Sequence, residues 1–69
     1  MSYANKIDYM NDLNETIKTC YDSIEAISLL QSAGKIPDYD AIVGMQGYLQ
    51  IALEAKKEYY RLENGLIWQ

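Results

Sequence analysis

From Tyr3 to Ser32 the chain runs without a glycine or a proline, while Met10, Leu13, Ile17, Cys20, Ile24 and Ile27 recur at spacings of 3, 4, 3, 4 and 3. An α-helix turns every 3.6 residues, so this spacing gathers all six side chains on one stripe, whereas a strand would scatter them over both faces. The pattern is a heptad seam. Tyr3, Ile7 and Tyr21 widen it on one flank and Tyr9 on the other, giving an apolar arc of roughly 160° at about 100° per residue. A face of that width has to be covered by something.

The segment Ala33-Gly34-Lys35-Ile36-Pro37-Asp38 holds the chain's one proline and is its one break between long stretches. Gly34 suits the left-handed residue just past a helix end. Ser2 or Asn5 can cap the first helix, with Asp8 in its first turn opposing the positive end of the helix dipole. A second helix follows, with Asp38 as its cap, Asp40 in its first turn and Gly65 as its stop signal. The chain therefore reads as a single all-α domain spanning residues 1–69. Its parts are a helix over about 3–32, a turn at 33–38, a helix over about 39–64 and an apolar tail at 65–69.

The second helix carries a broader apolar set than the first. Ile42, Met45, Tyr48, Leu49, Ile51, Leu53, Tyr59, Tyr60 and Leu62, with alanines 41, 52 and 55, cover roughly 200° of its wheel, more than one neighbouring helix can hide. The expected architecture is a two-helix antiparallel hairpin that completes a four-helix bundle by dimerisation. With Ile42, Leu49 and Leu53 turned toward the first helix, Gly44, Tyr48, Ala52 and Ala55 form the edge left over, and that edge is the expected self-association surface. Gly44 and Gly47 each cost about 1 kcal/mol relative to alanine in a helix interior, which suggests close helix packing there.

Composition narrows the chemistry. Of 69 residues 49% are hydrophobic and 23% charged, as in an ordinary folded domain, and no apolar run reaches the roughly 18 residues that a membrane span needs. There is no histidine and one cysteine, Cys20, so the serine and cysteine nucleophile pairs and the histidine-based zinc and di-iron sites lack a required residue. Cys20 lies on the seam with no cation beside it and reads as a small buried hydrophobe. No catalytic residue, cofactor or metal is expected. No membrane partner is expected either, and the cytoplasm is the expected location.

The net charge of −4 argues against direct nucleic-acid binding. The charge is also unevenly placed. Residues 1–40 hold seven acids and three lysines, and residues 41–69 hold three of each sign. Asp8, Asp12, Glu15 and Asp22 line the side of the first helix away from the seam, as a stripe that either is simply solvated or docks on a basic partner, imitating a nucleic-acid backbone. In the second helix Glu54 with Lys57, and Glu58 with Arg61, stand three apart as ion pairs. Seven tyrosines and a tryptophan without any phenylalanine favour half-buried, interface-like positions, and Tyr59, Tyr60 and Trp68 are the expected anchors.

Function follows as an expectation by elimination. The chain reads as a small acidic non-catalytic module that binds and masks the surface of a protein partner, as a regulator or as a mobile-element or phage inhibitor of a host defence protein. The plan of two helices and one short turn also resembles the small hairpin co-chaperones of bacterial type III secretion. That resemblance implies the alternative, a subunit that covers an amphipathic helix of a client.

Overall fold

The computed structural model describes residues 5–65, and all regular structure among them is helical. Helix α1 spans Lys6–Ser32 and helix α2 spans Asp38–Glu63, packed against each other as an antiparallel hairpin.

Of the two candidate caps, Asn5 performs the task. Its backbone is extended at φ −157° and ψ 170°, so the helix starts after it, and its side-chain oxygen accepts from the amide of Asp8 at 2.9 Å. Helix α1 thus starts at Lys6. At the other end Gly34 takes φ +71°, its amide donates to Gln31, and Lys35 donates to the carbonyl of Leu30 at 2.9 Å. These two bonds form a Schellman ending, which satisfies carbonyls that the last turn leaves open.

Helix α2 begins differently from the sequence expectation. Pro37, at φ −63° and ψ 149°, occupies the capping position without any side-chain bond, and its carbonyl accepts from Ala41. Proline has no amide to satisfy there and its fixed φ suits the entry. Asp38 is therefore the first helical residue. Its carboxylate accepts from the Gln31 amide at 3.2 Å, tying the two helices together beside the turn, and with Asp40 it still opposes the dipole. Gly65, at φ +81°, ends the helix as anticipated.

The core overturns the expected orientation of α2. The buried hydrophobic residues are Cys20 on α1 with Ala41, Ala52, Ala55 and Leu62 on α2; Ala52 is 1% exposed and Leu62 0%. Ile42, Leu49 and Leu53, expected to face α1, are instead 48%, 53% and 47% exposed. The seam of α2 is the heptad row Ala41, Met45, Tyr48, Ala52, Ala55, Tyr59 and Leu62, one residue out of phase with the row chosen from side-chain size. The physical reason is complementarity. Helix α1 presents Leu13, Ile17, Ile24 and Ile27, all half-buried, and small residues opposite them let the backbones approach. Ala52 and Ala55, expected at a self-association edge, are thus inside the hairpin.

The two glycines part company here. A Cβ built on Gly44 would come within 3.2 Å of the Ile27 side chain, so close packing accounts for that residue. A Cβ on Gly47 would meet nothing within 4 Å. Gly47→Ala should therefore stabilise the fold by about 0.5 to 1 kcal/mol through the unfolded-state entropy it removes. Gly44→Ala should gain less, because Ile27 must shift. Urea denaturation of both variants checks the order, and equal gains would mean that the contact with Ile27 is not made.

Candidate functional site

The two helices are right-handed and run in opposite directions, so residues about 100° ahead of the seam on either one lie on the same side of the pair. On α2 that position is held by Ile42, Gln46, Leu49, Leu53, Lys56 and Tyr60, and on α1 by Asn14, Lys18, Tyr21 and Glu25. One interaction ties the two sets together: the Lys56 ammonium of α2 sits 5.0 Å from the centroid of the Tyr21 ring of α1. Hydrogen bonding to Tyr21, and the charge of that phenol, hold Lys56 above the ordinary lysine pKa, with desolvation opposing and Tyr60 adding to the shift. The result is an apolar row along α2 bordered by Tyr21 of α1, with Tyr60 54% and Tyr21 43% exposed.

The opposite side of α2 carries a shallow apolar groove lined by Val43, Gly44, Gly47, Tyr48 and Ile51. Tyr48 thus borders both the seam and open surface, while Gly44 forms the floor against Ile27. Of the four residues expected to mediate self-association, only Tyr48 and Gly44 reach this groove. Sequence reasoning missed the Tyr21–Lys56 contact and the outward placement of the large aliphatic residues. The signal that could have found them is the alanine row itself, a complete heptad repeat lying beside the aliphatic one.

The four carboxylate residues Asp8, Asp12, Glu15 and Asp22 are all exposed, along the side of α1 that faces away from α2. At 1.5 Å of rise per residue they extend over about 21 Å. On α2, Glu58 and Arg61 form the expected ion pair, but Glu54 accepts from Gln50 at 3.1 Å in place of Lys57. Tyr59 and Tyr60 meet edge to face with centroids 6.2 Å apart; Tyr59 is half-buried in the seam and Tyr60 points outward. The two expected anchors therefore do different jobs. Trp68 and the apolar tail lie outside the described residues.

Cys20 is buried on the seam. Among the described residues no group of three or more Cys, Asp or Glu side chains converges on a point that could hold a metal ion, and no helix is long and apolar enough to cross a membrane. No protein-family model, curated protein or solved structure matches the chain.

Proposed function

We propose that the protein is a non-catalytic interaction module that works in the cytoplasm by occupying the surface of a protein partner. The observation that supports this reading best is the apolar face of Ile42, Leu49, Leu53, Tyr60 and Tyr21. Small folded chains rarely leave a contiguous apolar patch of several hundred Å² in water unless something docks there. Two hairpins stacked through such a face make a four-helix bundle.

The acidic side of α1 gives the module its electrostatic address. Asp8, Asp12, Glu15 and Asp22 form a row of negative charge on the outer side of α1, and a basic protein surface is its complement. A groove evolved to hold a nucleic-acid backbone is the sharpest case, and a regulator or inhibitor of a nucleic-acid-handling protein is the corresponding role. The experiment is retention from an extract of the source cells on immobilised protein, compared between wild type and a variant with Asp8, Asp12 and Asp22 changed to Asn and Glu15 to Gln. All four sites are exposed, so helix content should change little. Binding of the retained protein should weaken by at least about tenfold at low salt and lose most of its salt dependence. Equal retention by both proteins at low salt would remove the electrostatic reading.

A co-chaperone role rests on the same apolar face with a different occupant, an amphipathic helix of a client. The two readings differ in what covers Leu49 and Leu53.

A further inference from the structure

We infer that the face formed by Ile42, Leu49, Leu53 and Tyr60 binds a second copy of this chain, with the two α2 helices antiparallel about a two-fold axis that passes between Leu49 and Leu53. The inference deepens the interaction-module reading by naming the occupant of that face.

Three observations carry it. The first is shape. The hairpin measures 46 × 18 × 16 Å with a radius of gyration of 15.0 Å, against about 11 Å for a compact chain of this length. It is a single layer of two helices, and a second layer of equal length covers it from end to end.

The second is area. Taking roughly 200 Å² for a fully exposed side chain of this size, the exposures of Ile42, Leu49, Leu53, Tyr60 and Tyr21 leave about 500 Å² of side-chain surface per chain. The polar positions Gln46 and Lys56 lie between these side chains on α2. A standard protein interface takes about 800 Å² from each partner, so these five side chains alone supply more than half of what a stable dimer needs.

The third is pattern. The outward row of α2 reads Ile42, Gln46, Leu49, Leu53, Lys56, Tyr60, at spacings of 4, 3, 4, 3 and 4, and it is the same in both directions: apolar, polar, apolar, then apolar, polar, apolar. Turned about its midpoint, Leu49 meets Leu53 of the second copy, Ile42 meets Tyr60, and Gln46 meets Lys56. The two polar positions are complementary, since the glutamine oxygen accepts and the lysine ammonium donates. A face shaped for an unrelated helix has no reason to be symmetric about its own centre, whereas an isologous interface has to be self-complementary. The acids Asp8, Asp12, Glu15 and Asp22 lie on the outer side of α1, and beside Tyr21 on the stacked face α1 carries one charge of each sign, Lys18 and Glu25.

Sedimentation equilibrium from micromolar to millimolar protein tests this. Wild type should be a dimer, and Leu49→Asp with Leu53→Asp should raise the dissociation constant at least about a hundredfold. Ile51→Glu, on the groove side, should leave it unchanged. Because the double aspartate variant could also lose its fold, the pair of exposed Gln46 and half-buried Lys56 supplies a second measurement. Gln46→Glu should tighten the dimer and Gln46→Lys should loosen it, each about five- to tenfold. Adding Lys56→Glu to Gln46→Lys should restore wild-type affinity, a recovery that only contact between the two positions across the axis produces, since within one helix they stand ten residues apart.

A monomeric wild type at millimolar concentration overturns the inference, as does a dimer indifferent to Leu49→Asp with Leu53→Asp. Failure of the charge exchange to recover affinity overturns the antiparallel register. A monomer that retains a foreign protein through this face overturns the second copy and leaves the interaction-module reading standing. A dimer of this register that retains no partner does the reverse.

Discussion

Ala52→Glu should abolish the cooperative thermal transition of the hairpin. Ala52 is 1% exposed at the middle of the α2 seam, on a helix whose small residues set how closely α1 can approach. A glutamate there must either bury its carboxylate among apolar side chains or push the helices apart. Burying an unpaired charge costs several kcal/mol, and overpacking a closely packed seam costs about 1 to 3 kcal/mol more. A domain of this size has only a few kcal/mol of stability in hand, so either route should unfold it. Leu29→Glu is the contrasting change. Leu29 is largely exposed on the side of α1 away from α2, and its substitution should move stability by less than about 0.5 kcal/mol. Melting followed by circular dichroism separates the two. An Ala52→Glu protein that melts within a few degrees of wild type would mean that the alanine row is not the seam and that the larger aliphatic row faces α1 after all.

That prediction rests on the one place where sequence and structure disagree most. The break at Gly34, the stop at Gly65 and the seam of α1 are legible directly, and Asn5 as one of two candidate caps, because each depends on local backbone chemistry or on a single clear periodicity. The orientation of α2 could not, because it carries two heptad rows side by side. Choosing the larger residues as the buried ones follows the usual relation between side-chain area and burial. It fails when the neighbouring helix already supplies the bulk, since two facing rows of isoleucine and leucine would hold the backbones apart. Pairing Ala41, Ala52 and Ala55 with the aliphatic seam of α1 fills the space more tightly and turns Ile42, Leu49 and Leu53 outward.

The same phase error misplaced the candidate site. Residues expected to lie between copies lie between the helices of one copy, and the residues expected in the hairpin core form its exposed apolar face. The acidic stripe is legible because it depends only on the seam of α1, which a single periodicity defines. The Tyr21–Lys56 contact was not, because it joins positions 35 residues apart whose meeting depends on the register of the two helices. Asp38 shows a smaller version of the problem. Its type suits a cap, but the fixed backbone of Pro37 takes that position, and the aspartate is left free to reach Gln31 across the turn.

Leu62→Ala should be the costliest simple truncation in the chain, at about 2 to 5 kcal/mol. Among the described residues Leu62 is the one large side chain that is fully buried. Periodicity alone would put the greatest loss at Ile17 or Ile24, at the centre of the α1 seam, with about 2 to 5 kcal/mol for either. Both are half-buried, so part of each side chain already meets water and its removal leaves a shallower cavity; about 1 to 2 kcal/mol is the corresponding expectation. Position sharpens the difference. Leu62 belongs to the last turn of α2, next to the stop at Gly65, and in an antiparallel pair that turn packs near the start of α1. Without its side chain the end of α2 has little to hold it against α1, and hydrogen exchange should accelerate at residues 59–63 before the rest of the helix opens. Urea denaturation gives the ranking and amide exchange gives the location. A Leu62→Ala protein no less stable than Ile24→Ala, with protection at 59–63 intact, would show that the end of α2 is held by its own capping and not by burial of this side chain.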